Sequence, residues 1–151
     1  MKRLAVAAFI ITGASLFASS RVSHATAATA RPPAMRSVWD SVYTAEQATR
    51  GQVSYNQTCA RCHLNSLAGA DESPALVGST FLGNWNGLTV GALSERIRTT
   101  MPHDDPGTYG RQLVVDVVAY MLKMNGFPAG AVELPKETEV LKEIRLDATK
   151  P

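Results

Sequence analysis

The chain has 151 residues, 45% of them hydrophobic and 19% charged, with 15 Lys+Arg against 13 Asp+Glu. Three of the basic residues, Lys2, Arg3 and Arg21, fall in an N-terminal stretch that reads as a targeting segment, and without them the count is 12 against 13, a net of −1. The basicity is therefore largely a targeting effect, and nothing in the charge argues for nucleic acid or an anionic membrane surface as a partner.

Lys2 and Arg3 form a short positive region, and residues 4–18 are apolar with small residues mixed in. Small-residue cleavage patterns follow at Ser23-His24-Ala25, Ala25-Thr26-Ala27 and Ala28-Thr29-Ala30. That order is a secretory signal peptide. The apolar run is shorter than the roughly 20 residues of a membrane-spanning helix, although an uncleaved anchor is the competing reading. No cysteine follows closely enough for lipid attachment. The expectation is a mature protein that is soluble and periplasmic. Residues 25–36 are Ala/Thr/Pro-rich, with Pro32-Pro33, and read as flexible. The expected divisions are a signal peptide over 1–25, a flexible leader over 26–43, one compact domain over 44–126 and an extension over 127–151.

Thr44-Ala45-Glu46-Gln47 is a capping-box pattern, with Gln47 placed to reach back to the cap, and it opens a helix running toward Cys59. The next segment is Cys59-Ala60-Arg61-Cys62-His63, which holds the only two cysteines. C-x-x-C-H reads as an attachment site for c-type haem. On a helical turn, positions three and four apart share a face, so both thiols can meet the vinyl groups of one porphyrin while His63 turns its imidazole onto the iron. A thioredoxin-like dithiol needs a βαβ context that is absent here. A zinc site usually needs four N or S ligands, and the chain offers no second Cys/His cluster. A plain disulfide gives no reason for the adjacent His63.

A second helix is expected over about 90–99, with Thr89 as N-cap and Leu93 and Ile97 on one face. A third spans about 111–124. Leu113, Val114, Val117, Val118, Met121 and Met124 give it an apolar stripe at helical spacing, and Asn125-Gly126 supplies a stop. No alternating strand pattern and no internal repeat is visible, so the fold class is all-α. The compact part, 44–126, is only 83 residues, a size that buries too little surface to be comfortably stable alone. A bound porphyrin would serve as an apolar plate for three helices to pack around.

Gly51, Tyr55 and Cys59, at four-residue intervals, resemble the N-terminal helix of class I cytochrome c, where a glycine lets the C-terminal helix come close and an aromatic packs beside it. The matching pair on the last helix is Val117 and Tyr120. The resemblance implies a small cytochrome c-like fold of three main helices around one covalently bound haem. Met101-Pro102, 38 residues beyond His63, is similar to the family's methionine loop, in which the proline holds the backbone extended. It implies Met101 as the second axial ligand. Of the other methionines, Met1 and Met35 fall in the signal or leader, and Met121 and Met124 fall on the apolar stripe. His103 is the main rival ligand, followed by Asp104 and Asp105 and read as solvent-exposed, while His24 would leave with the signal. Ser73-Pro74-Ala75-Leu76 lies where the family places a proline whose carbonyl accepts a bond from the haem histidine; a plain turn proline is the alternative. The resemblance also makes Trp85 a donor to a haem propionate, or else a core aromatic, with Tyr109 and Arg98 as further candidates for facing the propionates.

Asn84-Trp85-Asn86-Gly87, Thr99-Thr100-Met101-Pro102 and Asn125-Gly126-Phe127-Pro128 look like small cytochromes associated with, or fused to, quinoprotein dehydrogenases. This resemblance covers about 44–130. In the extension, Glu133-Leu134-Pro135 opens a short charged helix through Lys136 to Arg145, with Leu141 and Ile144 on one side, packed along the domain surface or docking a partner. With His63 and Met101 both bound, the iron would have six ligands and no vacancy for a substrate. The implied function is a soluble single-haem carrier of one electron at a time, not an enzyme. Redox proteins are the implied partners, a quinoprotein dehydrogenase and a terminal oxidase among them, with no nucleic acid and no stable membrane insertion after signal cleavage. A haem subunit of a dehydrogenase complex, or a catalytic or gas-binding haem protein with an open iron, are the alternatives.

Overall fold

A computed structural model describes residues 35–151, so the expected signal peptide and the first half of the expected leader, 26–34, lie outside the described residues. Two threonines start the framing helices. Thr44 has extended backbone and its Oγ1 accepts the Gln47 N–H at 3.1 Å, opening α1 (Ala45–Thr58). Thr89 repeats the arrangement with the Ala92 N–H at 3.1 Å, opening α4 (Val90–Thr100). Each hydroxyl satisfies one of the orphan donors of a helix start. Between them lie α2 (Ala60–His63), a single turn continuing from α1, and α3 (Gly78–Trp85). α3 was not among the expected helices; no side chain caps it, so it carries no local start signal. α5 (Arg111–Met124) ends before Gly126, which takes φ +83 in the left-handed region that favours glycine after a helix. A short α6 (Thr138–Leu141) follows.

Helices dominate, as all-α packing requires, with one small addition. β1 (Arg36–Ser37) leads into a 3-10 turn over Val38–Asp40, and β1 pairs in parallel with β2 (Ile144–Arg145), Arg36 opposite Ile144. The helix expected over 136–145 thus shrinks to α6, and its end becomes strand. Leu141 and Ile144 are both buried all the same.

α1 crosses α5 at Gly51. A Cβ there would fall on the Asp116 carbonyl and stand 3.0 Å from Tyr120 Cβ, so the missing side chain is what lets the axes approach. One turn on, Tyr55 packs against Tyr120 with ring centroids 5.4 Å apart, and its hydroxyl donates to the Leu64 carbonyl at 2.8 Å. The expected partners of Gly51 are therefore corrected in part: Tyr120 is one, but the other is Asp116 backbone, while Val117 turns to the cavity described below. α5 is buried from Val114 through Leu122, Asp116 included, rather than along one stripe, and Met124 at the end of the expected stripe is exposed. Asp116 accepts from Arg50 Nε and Nη2, both at 3.3 Å, and from Gln112 Nε2 at 2.9 Å, which satisfies a carboxylate that would otherwise be costly to bury.

A helix apolar on both sides needs cover on both sides, and the cover comes from beyond 44–126. Val38, Val42 and Tyr43 before α1, and Leu134, Leu141, Ile144 and Leu146 after α5, are all core residues. The leader boundary at 43 and the separate extension at 127 are thus both corrected: residues 37–43 and 134–146 belong to the same packed core. Gln47 shows how the tail is tied down. Its side chain does not complete a capping box. It is fully buried, donating Nε2 to the Leu134 carbonyl at 3.0 Å and accepting the Leu134 N–H at 2.8 Å. Farther along, Gly87 N–H donates to Leu146 O and Leu146 N–H to Leu88 O, both at 2.8 Å, and Trp39 Nε1 donates to Asp147 O at 3.0 Å. The tail therefore braces the loop after α3. No helix among the described residues is long and apolar enough to cross a membrane.

Candidate functional site

The C-x-x-C-H segment continues the helical ladder of α1. Cys59 N–H donates to Tyr55 O at 2.8 Å, and Cys62 and His63 donate back to Cys59 O at 3.1 and 3.0 Å. Both thiols consequently share one face of a turn. They border a cavity of about 780 Å³, within the range of small-molecule and cofactor sites. His63, Pro74, Trp85 and Met101 border it too, so all six residues singled out in the sequence converge on one space. Leu76, Phe81, Leu93, Ile97 and Met121 supply apolar wall.

His63 is 8% exposed, and its Nδ1 lies 2.9 Å from the Pro74 carbonyl. A carbonyl only accepts, so Nδ1 is the donor, and in the neutral ring the lone pair is then on Nε2. The loop that presents Pro74 is built locally. Ala70 and Ser73 exchange backbone bonds at 3.1 and 2.8 Å, and Gly69, at φ +74, sits where a Cβ would strike Ser73 O and stand 2.7 Å from the Pro74 carbonyl carbon. Asn125, read only as a helix stop, does more: its Nδ2 donates to Leu76 O and its Oδ1 accepts the Gly78 N–H, both at 3.0 Å, joining the end of α5 to this loop and to the start of α3.

Met101 is the residue at which α4 ends, with extended backbone (φ −117, ψ 151) and its N–H on Ile97 O. His103 also borders the cavity from the same loop and is exposed. Met121 borders it from within α5 at 1% exposure, and Met124 does not reach it. Trp85 ends α3 and packs on Phe81, ring centroids 6.3 Å apart. Tyr109 lies on the cavity wall and its hydroxyl donates to Thr58 O at 3.4 Å.

Arg98 does not face the cavity. It pairs with Glu95 on the same helix and faces a small notch against α5 and the tail. Arg96, which sequence reading passed over, borders the cavity and makes no ion pair among the described residues. Arg96 lies two residues before Arg98, enough to change faces in a helix, but the choice between Arg96 and Arg98 depends on which face the tail covers. A second unforeseen feature is the pair Arg61–Asp104, Nη2 to Oδ1 2.5 Å. The Arg61 guanidinium holds the Asp104 carboxyl below the usual carboxylate range, and burial pushes the Cys59 thiol up.

Two thiols, an imidazole with a free Nε2 and a thioether sulfur around an apolar cavity fit a covalently held porphyrin. Among the described residues no group of three or more His, Cys, Asp or Glu is placed to hold a bare metal ion.

Fold and site together define a small cytochrome c-like domain. Residues 46–121 match the family described as cytochrome c oxidase, cbb3-type, subunit III, half of the chain, and the protein belongs to that family of cytochrome c domains. It is a c-type cytochrome, an electron carrier of a family that binds haem c covalently. A chain in the crystal structure of the sulfane dehydrogenase SoxCD from Paracoccus pantotrophus is similar at 18% identity and a TM-score of 0.45, with 72% of this chain and 61% of that chain covered. The protein thus spans about three-fifths of that neighbour's length. No curated protein matches it.

Proposed function

We propose that the protein is an exported, periplasmic cytochrome that carries one electron at a time between redox proteins and performs no chemistry on a substrate. In this reading Cys59 and Cys62 would form the thioether bonds, and His63 Nε2 and Met101 Sδ would hold the iron. The observation that carries it is the His63 Nδ1–H···Pro74 bond of 2.9 Å, which leaves Nε2 free in the cavity that both cysteines and Met101 also border.

Haem c, when bound, supplies one-electron Fe(III)/Fe(II) chemistry. The residues do the rest. His63, oriented through Pro74, and Met101, held extended ahead of Pro102, leave no coordination vacancy. A His/Met pair raises the potential, and the apolar wall disfavours the extra positive charge of the oxidised state. Arg96 supplies positive charge for the haem carboxylates, and Trp85 an indole N–H. Lys2-Arg3, the apolar run and the small-residue cleavage patterns support export. The similarity around Asn84-Trp85-Asn86-Gly87 supports a quinoprotein dehydrogenase as donor, and the family's description supports a terminal oxidase as acceptor. Weak, transient docking suits such a carrier.

The ferric protein at neutral pH is expected to show the far-red absorption band of Fe(III)–Met bonding, and Met101→Ala is expected to abolish it and open the iron to cyanide or carbon monoxide. An absent band, or unchanged ligand access in Met101→Ala, overturns the closed-site carrier in favour of an open-iron haem protein.

A further inference from the structure

The loop from Met101 to Gly110 has little apolar packing of its own: residues 103–108 are all exposed. Its internal bonds are Asp105 N–H to Pro102 O at 3.1 Å, Gly107 N–H to Met101 O at 3.2 Å and Thr108 Oγ1 to Asp105 O at 3.1 Å. Two polar contacts tie it across to the C-x-x-C-H region. One is Tyr109 Oη on Thr58 O at 3.4 Å, a long bond. The other is Arg61 Nη2 on Asp104 Oδ1 at 2.5 Å, joining residues 43 positions apart. All four of these residues border the cavity, and Arg61 stands between the two cysteines.

We propose that Arg61 and Asp104 are positioning residues for Met101: their ion pair is a latch that holds the methionine loop against the C-x-x-C-H turn. This rests on the reading of Met101 as axial ligand. Arg61 belongs to a helical turn anchored by its backbone ladder, so Asp104 and its loop are the side that moves. With the latch closed, Met101 would stay where it can hold the iron. With it open, Met101 leaves more often and an external ligand competes better. Both side chains are more than half exposed, 56% and 62%, so the effect is modest. An exposed pair of this kind shifts an opening equilibrium by about 1.4- to 5-fold, and salt screens it.

The test is an imidazole titration of the purified ferric holoprotein, followed by the Soret shift and the far-red band, at low salt and at about 1 M salt. Arg61→Gln and Asp104→Asn are each expected to tighten apparent imidazole binding by about 1.4- to 5-fold at low salt. The double variant is expected to equal either single, Asp104→Glu to restore wild-type behaviour, and high salt to bring the wild type to the level of the variants. Wild-type affinity in both single variants, or fully additive effects in the double variant, overturns the latch. Met101→Ala separates this outcome from failure of the axial reading. If that variant keeps both the far-red band and the wild-type imidazole affinity, Met101 is not the ligand, whatever the latch variants do.

Discussion

Replacing Gln47 by leucine tests how strongly the tail is tied to the helical frame. The substitution keeps a side chain of similar size in a fully buried position but removes both partners of Leu134, whose N–H and carbonyl bond to Gln47 at 2.8 and 3.0 Å. Each buried backbone group left unpaired costs about 1–3 kcal/mol, so the gross loss is about 2–6 kcal/mol. Burying leucine in place of an amide returns part of that, roughly 1–2 kcal/mol. The net loss is then on the order of 1–4 kcal/mol, enough to lower Tm by roughly 4–20 °C in a domain of this size. Thermal and denaturant unfolding of the holoprotein measure it, and hydrogen exchange at the Leu134 amide supplies a local readout: protected in the wild type, fast in Gln47→Leu. A loss below about 0.5 kcal/mol, with the Leu134 amide still protected, would refute the reasoning.

Three more outcomes follow from the packing and the charges. Gly51→Ala is expected to destabilise by about 1–3 kcal/mol in denaturant unfolding, despite alanine's better helix propensity, because the new Cβ meets Asp116 backbone; an equal or higher midpoint contradicts the close crossing. Arg96→Gln removes a positive charge from the cavity wall and is expected to lower the midpoint potential by tens of mV, the scale of one nearby charge at an effective dielectric constant of about 20–80. Spectroelectrochemistry measures it, and a rise in potential reverses the assignment. The bond from Arg98 holds the Glu95 carboxyl below the usual carboxylate range. Its stabilisation is therefore present above the unfolded-state value of about 4.3 and is lost as pH falls through the lower folded-state value. The pair is over one-third exposed on the Glu95 side, so the effect stays below about 1 kcal/mol; Glu95→Gln should flatten the Tm-against-pH curve between about pH 5 and 3 relative to the wild type.

Features set by contacts within a few positions are legible in the sequence. The starts at Thr44 and Thr89 depend on a hydroxyl meeting a backbone N–H three residues away, and C-x-x-C-H depends on one helical turn, so neither needs the rest of the chain. Gly51 was legible as a close-packing position, but its contact on the Asp116 carbonyl was not, because backbone carbonyls carry no side-chain signature. Arg98 was the arginine the resemblance suggested, but α6 and the tail cover its face of α4 and Arg96 is the one left on the cavity wall. Gln47 has the right spacing for a capping box, yet a buried amide that can pair with both backbone groups of one residue gains more there than at an exposed helix start.

By itself, then, the sequence determined the cofactor class through Cys59, Cys62 and His63 and the helix starts at Thr44 and Thr89, since each rests on chemistry within a few positions, while Pro74, Trp85 and Met101 came from resemblance to a family. Only the tertiary structure decided that residues 37–43 and 134–146 complete the core, that Arg96 rather than Arg98 faces the cavity, and that Arg61 reaches Asp104. The physical reason is the same in each case. These contacts join segments tens of residues apart, and their partners are selected by which surfaces remain uncovered after the helices have packed, a property of the assembled core that no local pattern encodes.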